Sequence, residues 1–223
     1  MVQNRGVNLA INYYSMLSAI VLAAGLSKRM VNINKLLLPY NNKTIIEITL
    51  ENILASGIDE VIVVTGYEAE KAKAAIQHLP VSIFYNSDYE IGMTTSIQFG
   101  IEHAKENGYM ICLADMFMIT SEEYSLLRKI YEENFLSNLK YIYVPRYNNE
   151  KGNPVIFSPY YKDAILKHKE MEGCKAIVQS NKENIFWVDM PTNHVLQDMD
   201  YYEDYEKLNR EQNVQVSDTT KAK

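Results

Sequence analysis

The stretch SAIVLAAGLSKRMVNINKLLLP, residues 18–39, decides the fold of this chain. Its first part, Ser18–Ala24, shows no alternation of polar and apolar residues, which is typical of a central strand buried on both faces of a parallel sheet. Gly25 and a polar stretch follow that strand directly. Because ligands of open parallel sheets bind beyond the carboxyl ends of the strands, the loop after this strand is predicted to be part of a binding site.

The residue types of this loop suit a phosphate ligand. Gly25 lacks a Cβ, so backbone N–H groups there can approach phosphate oxygens. Ser27 adds a hydroxyl donor, and Arg29 and Lys35 add two cations that can neutralise a triphosphate. The loop matches neither the P-loop pattern nor the G-x-G-x-x-G pattern. From composition alone, a surface turn with two solvated cations remains the competing interpretation.

Short apolar runs alternate with segments of helical periodicity along the chain, which predicts an α/β, Rossmann-like three-layer fold with a mostly parallel central sheet. The predicted strands are 18–24, 60–65, 81–85, 109–114, 141–144, 155–157 and 185–188, the last three including antiparallel ones. The predicted helices are 44–56, 68–79, 94–107 and 120–135, with a short one beginning near Tyr201. Residues 16–210 are expected to form a single domain, between an N-terminal extension (1–15) and a disordered tail (211–223).

Composition narrows the classes of function. The net charge of −6 argues against broad nucleic-acid binding, which requires basic surfaces, although a single nucleotide needs only a few local cations. The two cysteines, Cys112 and Cys174, form no metal-binding spacing, and no apolar run approaches the ~20 residues of a membrane span. The sequence therefore predicts a cytoplasmic protein with neither a nucleic-acid nor a membrane partner.

Asp115 follows the predicted strand 109–114, at the sheet edge where the phosphate loop should lie. Mg²⁺ favours sites with one or two carboxylates completed by phosphate oxygens and water, so Asp115 is a candidate metal ligand. An aspartate after a strand is also a common turn residue, and that interpretation stays open. The four histidines are scattered, and we interpret them as structural or surface residues.

Several motifs together resemble the MobA-like nucleotidyltransferases, and among them the molybdenum cofactor cytidylyltransferases most. The matching elements stand in family order over roughly residues 18–207: Leu22–Gly25 with Ser27, Arg29-Met30 and Lys35; Val63–Gly66; Asn86 with Gly92-Met93 and Ser96; Leu113–Met116; Gly152–Pro154; and Asp198–Asp200 with Glu203-Asp204. The motifs expected to contact the phosphates match the family better than the motifs on the acceptor side. On the acceptor side, Asn153 replaces a family histidine. The resemblance implies a fold of the nucleotide-diphospho-sugar transferase type.

The resemblance also implies which residues form the site. The implied nucleotide-binding residues are Leu22, Ala23, Ala24, Gly25, Ser27, Arg29, Lys35, Thr65, Gly66, Asn86 and Ser96. The implied catalytic residues are Arg29, Lys35 and Asp115, and the implied Mg²⁺ ligands are Asp115 and Asp200, with Asp198 as the alternative to Asp200.

The activity implied by the resemblance is transfer of CMP from CTP to a phosphorylated acceptor, with pyrophosphate as the leaving group. A methyl group at Ala24 narrows the space beside the base and favours a pyrimidine, and the family's acceptor is a molybdopterin-type molybdenum cofactor. The alternative acceptors are a phosphosugar or phosphocholine. A non-catalytic nucleotide or cofactor carrier is the rival hypothesis, and the apoenzyme of a molybdenum hydroxylase would then be its partner.

Overall fold

The structure, a computed structural model, describes residues 16–27, 33–105, 108–199 and 205–206. The strands are β1 (Leu17–Ala23), β2 (Pro39–Tyr40), β3 (Lys43–Thr44), β4 (Glu60–Thr65), β5 (Ser82–Tyr85), β6 (Gly108–Leu113), β7 (Ile142–Tyr147), β8 (Glu150–Lys151), β9 (Val155–Phe157) and β10 (Ile185–Asp189). The helices are α1 (Ile45–Ala55), α2 (Ala69–Ile76), α3 (Met93–His103), α4 (Ser121–Asn134), α5 (Lys162–Leu166) and α6 (Lys175–Ser180).

The main sheet has the strand order β10-β7-β9-β6-β1-β4-β5, with β8 paired to β7. Strand β1 lies between β4 and β6 and is parallel to both, whereas β9 is antiparallel to β6 and β7. The predicted mostly parallel sheet with antiparallel members is confirmed. The chain passes from β1 to β4 on one side and later to β6 on the other. This change of direction opens a crevice at the carboxyl ends of β1 and β6, where ligands of such sheets bind.

Both faces of the sheet are covered, which gives the predicted three layers. In β1, Ala19 and Val21 belong to one buried apolar cluster, which α1, α2 and α4 complete. Ile20 belongs to a second cluster on the opposite face, together with Ile97 of α3 and Ile177 of α6. Because successive strand residues point to opposite faces, a strand buried on both sides must be apolar throughout.

Two helices begin at capping boxes that fix where the chain leaves the sheet. Thr44 and Glu47 cap α1, and Thr120 and Glu123 cap α4, each pair exchanging hydrogen bonds between side chain and backbone. The second box begins the helix that was predicted at residues 120–135. The longest described helix, α4, has 14 residues. No helix in the described part of the chain combines the length and apolar character that crossing a membrane requires.

Some small elements differ from the prediction. The hairpin of β2 and β3 was not predicted; it turns at Asn41 and Asn42, whose φ angles of 52° and 63° match the left-handed geometry of a tight hairpin turn. Helices α5 and α6 were also missed, because five or six residues are too few to display a helical period. The helix predicted to begin near Tyr201 starts outside the described residues.

Candidate active site

A cleft of about 580 Å³ opens at the carboxyl ends of β1 and β6, the place that the strand order favours. It is lined by Leu22, Ala24, Gly25, Leu26, Ser27, Lys35, Leu36, Tyr89, Glu90, Gly92, Met93, Ser96, Leu113, Asp115 and Asp198. Its volume lies within the range of about 300–1,000 Å³ that small-molecule sites occupy. The loop after β1 and the aspartate after β6, which the sequence analysis singled out separately, therefore face one cavity.

Lys35 and Asp115 form an ion pair in this cleft, and both side chains are mostly buried, at 16% and 11% exposure. Asp115 follows β6, and Lys35 opens a short 3-10 helix, Lys35–Leu37. The Asn34 side chain caps this helix by accepting a hydrogen bond from the Leu36 N–H at 3.2 Å. Among the described residues that line the cleft, Lys35 carries the only cationic side chain. Lys35 is therefore the candidate among these residues for contact with an anionic group of a ligand.

Ser27 connects the loop after β1 to the segment that carries Lys35. Its Oγ accepts a hydrogen bond from the Lys35 N–H at 3.4 Å, and its φ of 46° turns the chain sharply after Leu26. Residues 28–32 between these points lie outside the described residues, and with them Arg29. The contribution predicted for Arg29 stays a prediction.

The described residues do not require a glycine at position 25. A Cβ built on it meets no heavy atom of the described residues within 4 Å, and its φ lies outside the left-handed region. Gly25 lines the same cleft as the Lys35–Asp115 pair. Space at a glycine that the surrounding protein does not fill suits a ligand that comes close to the backbone.

The carboxylates of the cleft suit a metal that is held partly by a substrate. Asp115 is mostly buried beside Lys35, and Asp198, the alternative second ligand, also lines the cleft. Asp200 lies outside the described residues. No group of three or more histidine, cysteine or acidic side chains in the described part of the chain is arranged to enclose a metal ion. Mg²⁺ typically binds through one or two carboxylates, with phosphate oxygens and water completing its coordination, so these residues fit it.

The structure places four other predicted nucleotide-binding residues behind the cleft lining: Ala23, Thr65, Gly66 and Asn86. Ala23 points into the buried core, and the Thr65 hydroxyl donates to the Phe84 carbonyl at 3.0 Å. Whether these four residues contact a nucleotide stays a prediction.

Asn86 organises the wall of the cleft at the start of α3. Its side-chain N–H groups donate to the hydroxyls of Thr95 and Ser96 at 3.1 and 3.0 Å. Its Oδ1 accepts from the Asp88 N–H at 3.0 Å. Ser96 lines the cleft, so Asn86 holds one lining residue in place and shapes the turn that leads to Tyr89.

Tyr89 and Glu90 line the cleft but were not among the predicted site residues. They follow β5, the third parallel strand on this side of the sheet. The rule that ligands bind beyond the carboxyl ends of parallel strands, applied to the strand predicted at 81–85, could have indicated them.

His194 is structural, as the sequence analysis proposed. Its Nδ1 lies 2.9 Å from Glu123, which is buried and also accepts a hydrogen bond from Thr192 at 2.5 Å. Burial opposes ionisation of Glu123, but hydrogen bonds from the Thr120 N–H, Thr192 and His194 outweigh it and lower the pKa of this carboxyl. These contacts fix the segment that leads to Asp198 in the cleft.

The fold has three layers, and the crevice at the carboxyl ends of β1 and β6 contains a cation, a buried carboxylate and a glycine. These are features of a nucleotide-binding enzyme. The model of the MobA-like NTP transferase domain matches residues 19–185, so the chain belongs to the MobA-like NTP transferase family, a family of nucleotidyltransferases. The resemblance noted in the sequence is thereby confirmed.

The individual relatives of this chain are named for different activities. The chain is 26% identical to the molybdenum cofactor cytidylyltransferase of Escherichia coli K12 over 193 residues, covering 86% of this chain and 94% of the relative. It is 35% identical to nicotine blue oxidoreductase of Paenarthrobacter nicotinovorans over 100 residues, covering 44% of this chain and 48% of the relative. The chain thus spans about half the length of that second relative.

Solved structures share the fold. A nucleotidyl transferase from Methanothermobacter thermautotroptrophicus aligns with a TM-score of 0.75 at 21% identity, covering 86% of this chain and 95% of that one. The manganese complex of Rv0371c from Mycobacterium tuberculosis H37Rv aligns with a TM-score of 0.70 at 23% identity, covering 86% and 97%. The nucleotide-diphospho-sugar transferase type of fold, expected from the sequence, is confirmed.

Proposed function

We propose that this nucleotidyltransferase transfers CMP from CTP to a phosphorylated acceptor, a molybdopterin-type molybdenum cofactor, and releases pyrophosphate. One observation carries the proposal: Lys35 and Asp115, which follow different strands, form an ion pair in a cleft that Gly25 also lines, and the described residues leave space for a Cβ at Gly25. The cation suits the phosphates, the carboxylate suits their metal, and the open glycine suits close approach of the backbone.

The preference for CTP has two supports. The Ala24 methyl group lines the cleft and narrows it beside the proposed base position. The Escherichia coli relative, 94% of which aligns with this chain, is named a molybdenum cofactor cytidylyltransferase. Residues 16–210 are proposed to carry this activity as one domain in the cytoplasm, with Arg29 as a further cation against the phosphates.

In the proposed reaction, an acceptor phosphate oxygen attacks the α-phosphorus of CTP. A bond forms between that oxygen and the CMP moiety while the bond to pyrophosphate breaks, and the electron pair leaves with pyrophosphate. The acceptor phosphate is already anionic near neutral pH, so no general base is required. Lys35 stabilises the charge that develops on the leaving group.

Mg²⁺ is the proposed metal, held by Asp115 with Asp198 or Asp200. Its chemistry would be to neutralise phosphate charge and to align the α-phosphate for attack. A structural neighbour was solved as a manganese complex, which supports the use of a divalent cation. Lys35 is ion-paired with Asp115, so a metal held by Asp115 would take the place of the ammonium group, and Lys35 would be available to the phosphates.

The direct test is pyrophosphate release from CTP and Mg²⁺ in the presence of the reduced molybdopterin cofactor, with a phosphosugar and phosphocholine as competing acceptors. We expect release with the cofactor and not with the other two. Release only with another acceptor would refute the acceptor assignment. Metal-dependent CTP binding without release with any of the three acceptors would favour the carrier hypothesis.

A further inference from the structure

The end of the cleft formed by the segment after β5 differs chemically from the Lys35 end. Glu90 is exposed and lines this part of the cleft, and its Oε1 accepts a hydrogen bond from the Tyr89 hydroxyl at 3.2 Å. This end is formed by the segment that follows β5, whereas Lys35 lies on the segment that follows β1.

The Tyr89 ring is held against the wall of the cleft. A Cβ built on Gly66 would lie 2.5 Å from Tyr89 Cγ and 2.8 Å from the Ala24 Cβ, so the ring and the methyl group pack tightly against the Gly66 backbone. Tyr89 therefore cannot move closer to this wall. The hydroxyl of this ring in turn orients the Glu90 carboxylate.

A carboxylate at this end selects against a phosphate and in favour of a hydrogen-bond donor. The phosphates belong at the Lys35 end, where the cation lies. Tyr89 and Met93 line the cleft together with Glu90 and supply apolar surface on which a planar ring can pack. The exocyclic amino group of cytosine donates hydrogen bonds, whereas the corresponding oxygen of uracil only accepts them and would face the carboxylate unfavourably.

We propose that Glu90, oriented by Tyr89, accepts a hydrogen bond from the amino group of the nucleobase and so makes the site prefer CTP to UTP. This inference rests on the proposed function, because it assigns the base end of the same cleft. It adds a specificity residue that neither the loop after β1 nor the family motifs supplied.

The test compares the dissociation constants of CTP and UTP, each with Mg²⁺, for the wild-type protein and for Glu90→Gln. A hydrogen bond to a charged group corresponds to a preference of about 10-fold, so we expect the wild type to bind CTP about 10-fold more tightly than UTP. In Glu90→Gln, the amide can donate to the uracil oxygen, so the ratio should fall to about 1. Tyr89→Phe keeps the ring and loses the hydroxyl, and should lower the ratio by a smaller factor.

Glu133→Gln is the matched control, since Glu133 lies on α4, is 59% exposed and is not among the residues that line the cleft. It removes the same charge from the protein and should leave the ratio unchanged. A CTP preference that persists in Glu90→Gln, or equal binding of the two nucleotides by the wild type, would overturn this inference while the nucleotide site stands. No metal-dependent binding of any NTP by the wild type would overturn both the inference and the proposed function.

Discussion

Gly25 and Gly66 follow neighbouring parallel strands, β1 and β4, yet they differ in what the fold demands of them. A Cβ at Gly66 would lie 2.5 Å from Tyr89 Cγ, whereas a Cβ at Gly25 meets no heavy atom of the described residues within 4 Å. One glycine is needed to pack the wall of the cleft. The other has space beside it that the described residues leave open and that a ligand could use.

The same contrast divides the cleft into two regions. The ligand side, at the ends of β1 and β6, presents Gly25 and the Lys35–Asp115 ion pair. The packed wall, at the ends of β4 and β5, is held by Gly66 against Tyr89 and by hydrogen bonds of Asn86. Substitutions on the ligand side should therefore alter binding and turnover, and substitutions in the wall should alter stability first.

The largest effect is expected for Asp115→Asn on the ligand side. Loss of a preorganised charge at the reacting phosphates should lower turnover by on the order of 10²–10³-fold, because the amide is a poor ligand for a divalent cation. The measurement is the rate of pyrophosphate release, with circular dichroism to verify the fold. Asp189→Asn is the control, since it breaks the Arg146–Asp189 ion pair outside the cleft lining and should retain activity. Full turnover by Asp115→Asn would rule out the assigned role.

The next effect is on stability and separates the two glycines. Gly66→Ala should lower the free energy of unfolding by about 1–3 kcal/mol, because overpacking forces the Tyr89 ring away from the wall. Gly25→Ala should stay within about 0.5 kcal/mol of the wild type, as for a substitution that meets no neighbour. Urea denaturation measures both. Tyr89→Ala in the Gly66→Ala background should recover part of the lost free energy of unfolding. Equal destabilisation by Gly66→Ala and Gly25→Ala would contradict the difference between the two glycines.

A smaller effect is expected when the ion pair of the ligand side is opened. Lys35→Met removes the ammonium group that competes for Asp115, so Mn²⁺ should bind up to about 5-fold more tightly in the absence of nucleotide. The same variant should bind CTP more weakly, since the cation for its phosphates is lost. Titration of Mn²⁺ by electron paramagnetic resonance measures the first effect. Lys43→Met is the control, because it opens the exposed Lys43–Glu51 ion pair. Unchanged Mn²⁺ binding by Lys35→Met would contradict competition between Lys35 and the metal for Asp115.

The smallest effect concerns the support of the segment that leads to Asp198. Burial opposes the charge of Glu123, but its hydrogen bonds outweigh burial and set its pKa below the ordinary value of 4.5. The stability that Glu123 contributes is thus present above pH 4.5 and is lost as the pH falls through the lower pKa of the folded state. The melting temperature of the wild type should therefore decrease more steeply below pH 4.5 than that of Glu123→Gln. Parallel curves would show that the carboxylate contributes nothing to this dependence.

The sequence predicted the large elements because their patterns are strong. A strand buried on both faces, such as β1, is apolar throughout, and α1 and α4 are long enough to show a helical period. The direction of β9 was left open, since strand direction depends on which strands pair and not on local sequence. The β2–β3 hairpin was missed because each of its strands has only two residues.

The site was predictable where its residues follow parallel strands. Gly25 and Asp115 were identified by that rule, and both line the cleft. Asn86 shows the limits of this rule. It also follows a strand, but its side chain donates hydrogen bonds to Thr95 and Ser96. Which way a side chain points depends on packing between distant segments. Tyr89 and Glu90 also follow a parallel strand, so the rule could have indicated their segment, but the structure was needed to show that these two residues line the cleft.

The measurement that tests the central claim most directly is the melting temperature of the wild type and of Gly25→Ala, each with and without CTP and Mg²⁺. A ligand present at about 100 times its dissociation constant adds about 2.7 kcal/mol, so the wild type should melt roughly 5–10 °C higher when both are present. Gly25→Ala should melt at the wild-type temperature without ligand and show little or no shift with it. An equal shift in Gly25→Ala, or no shift in the wild type, would contradict a nucleotide site at this glycine.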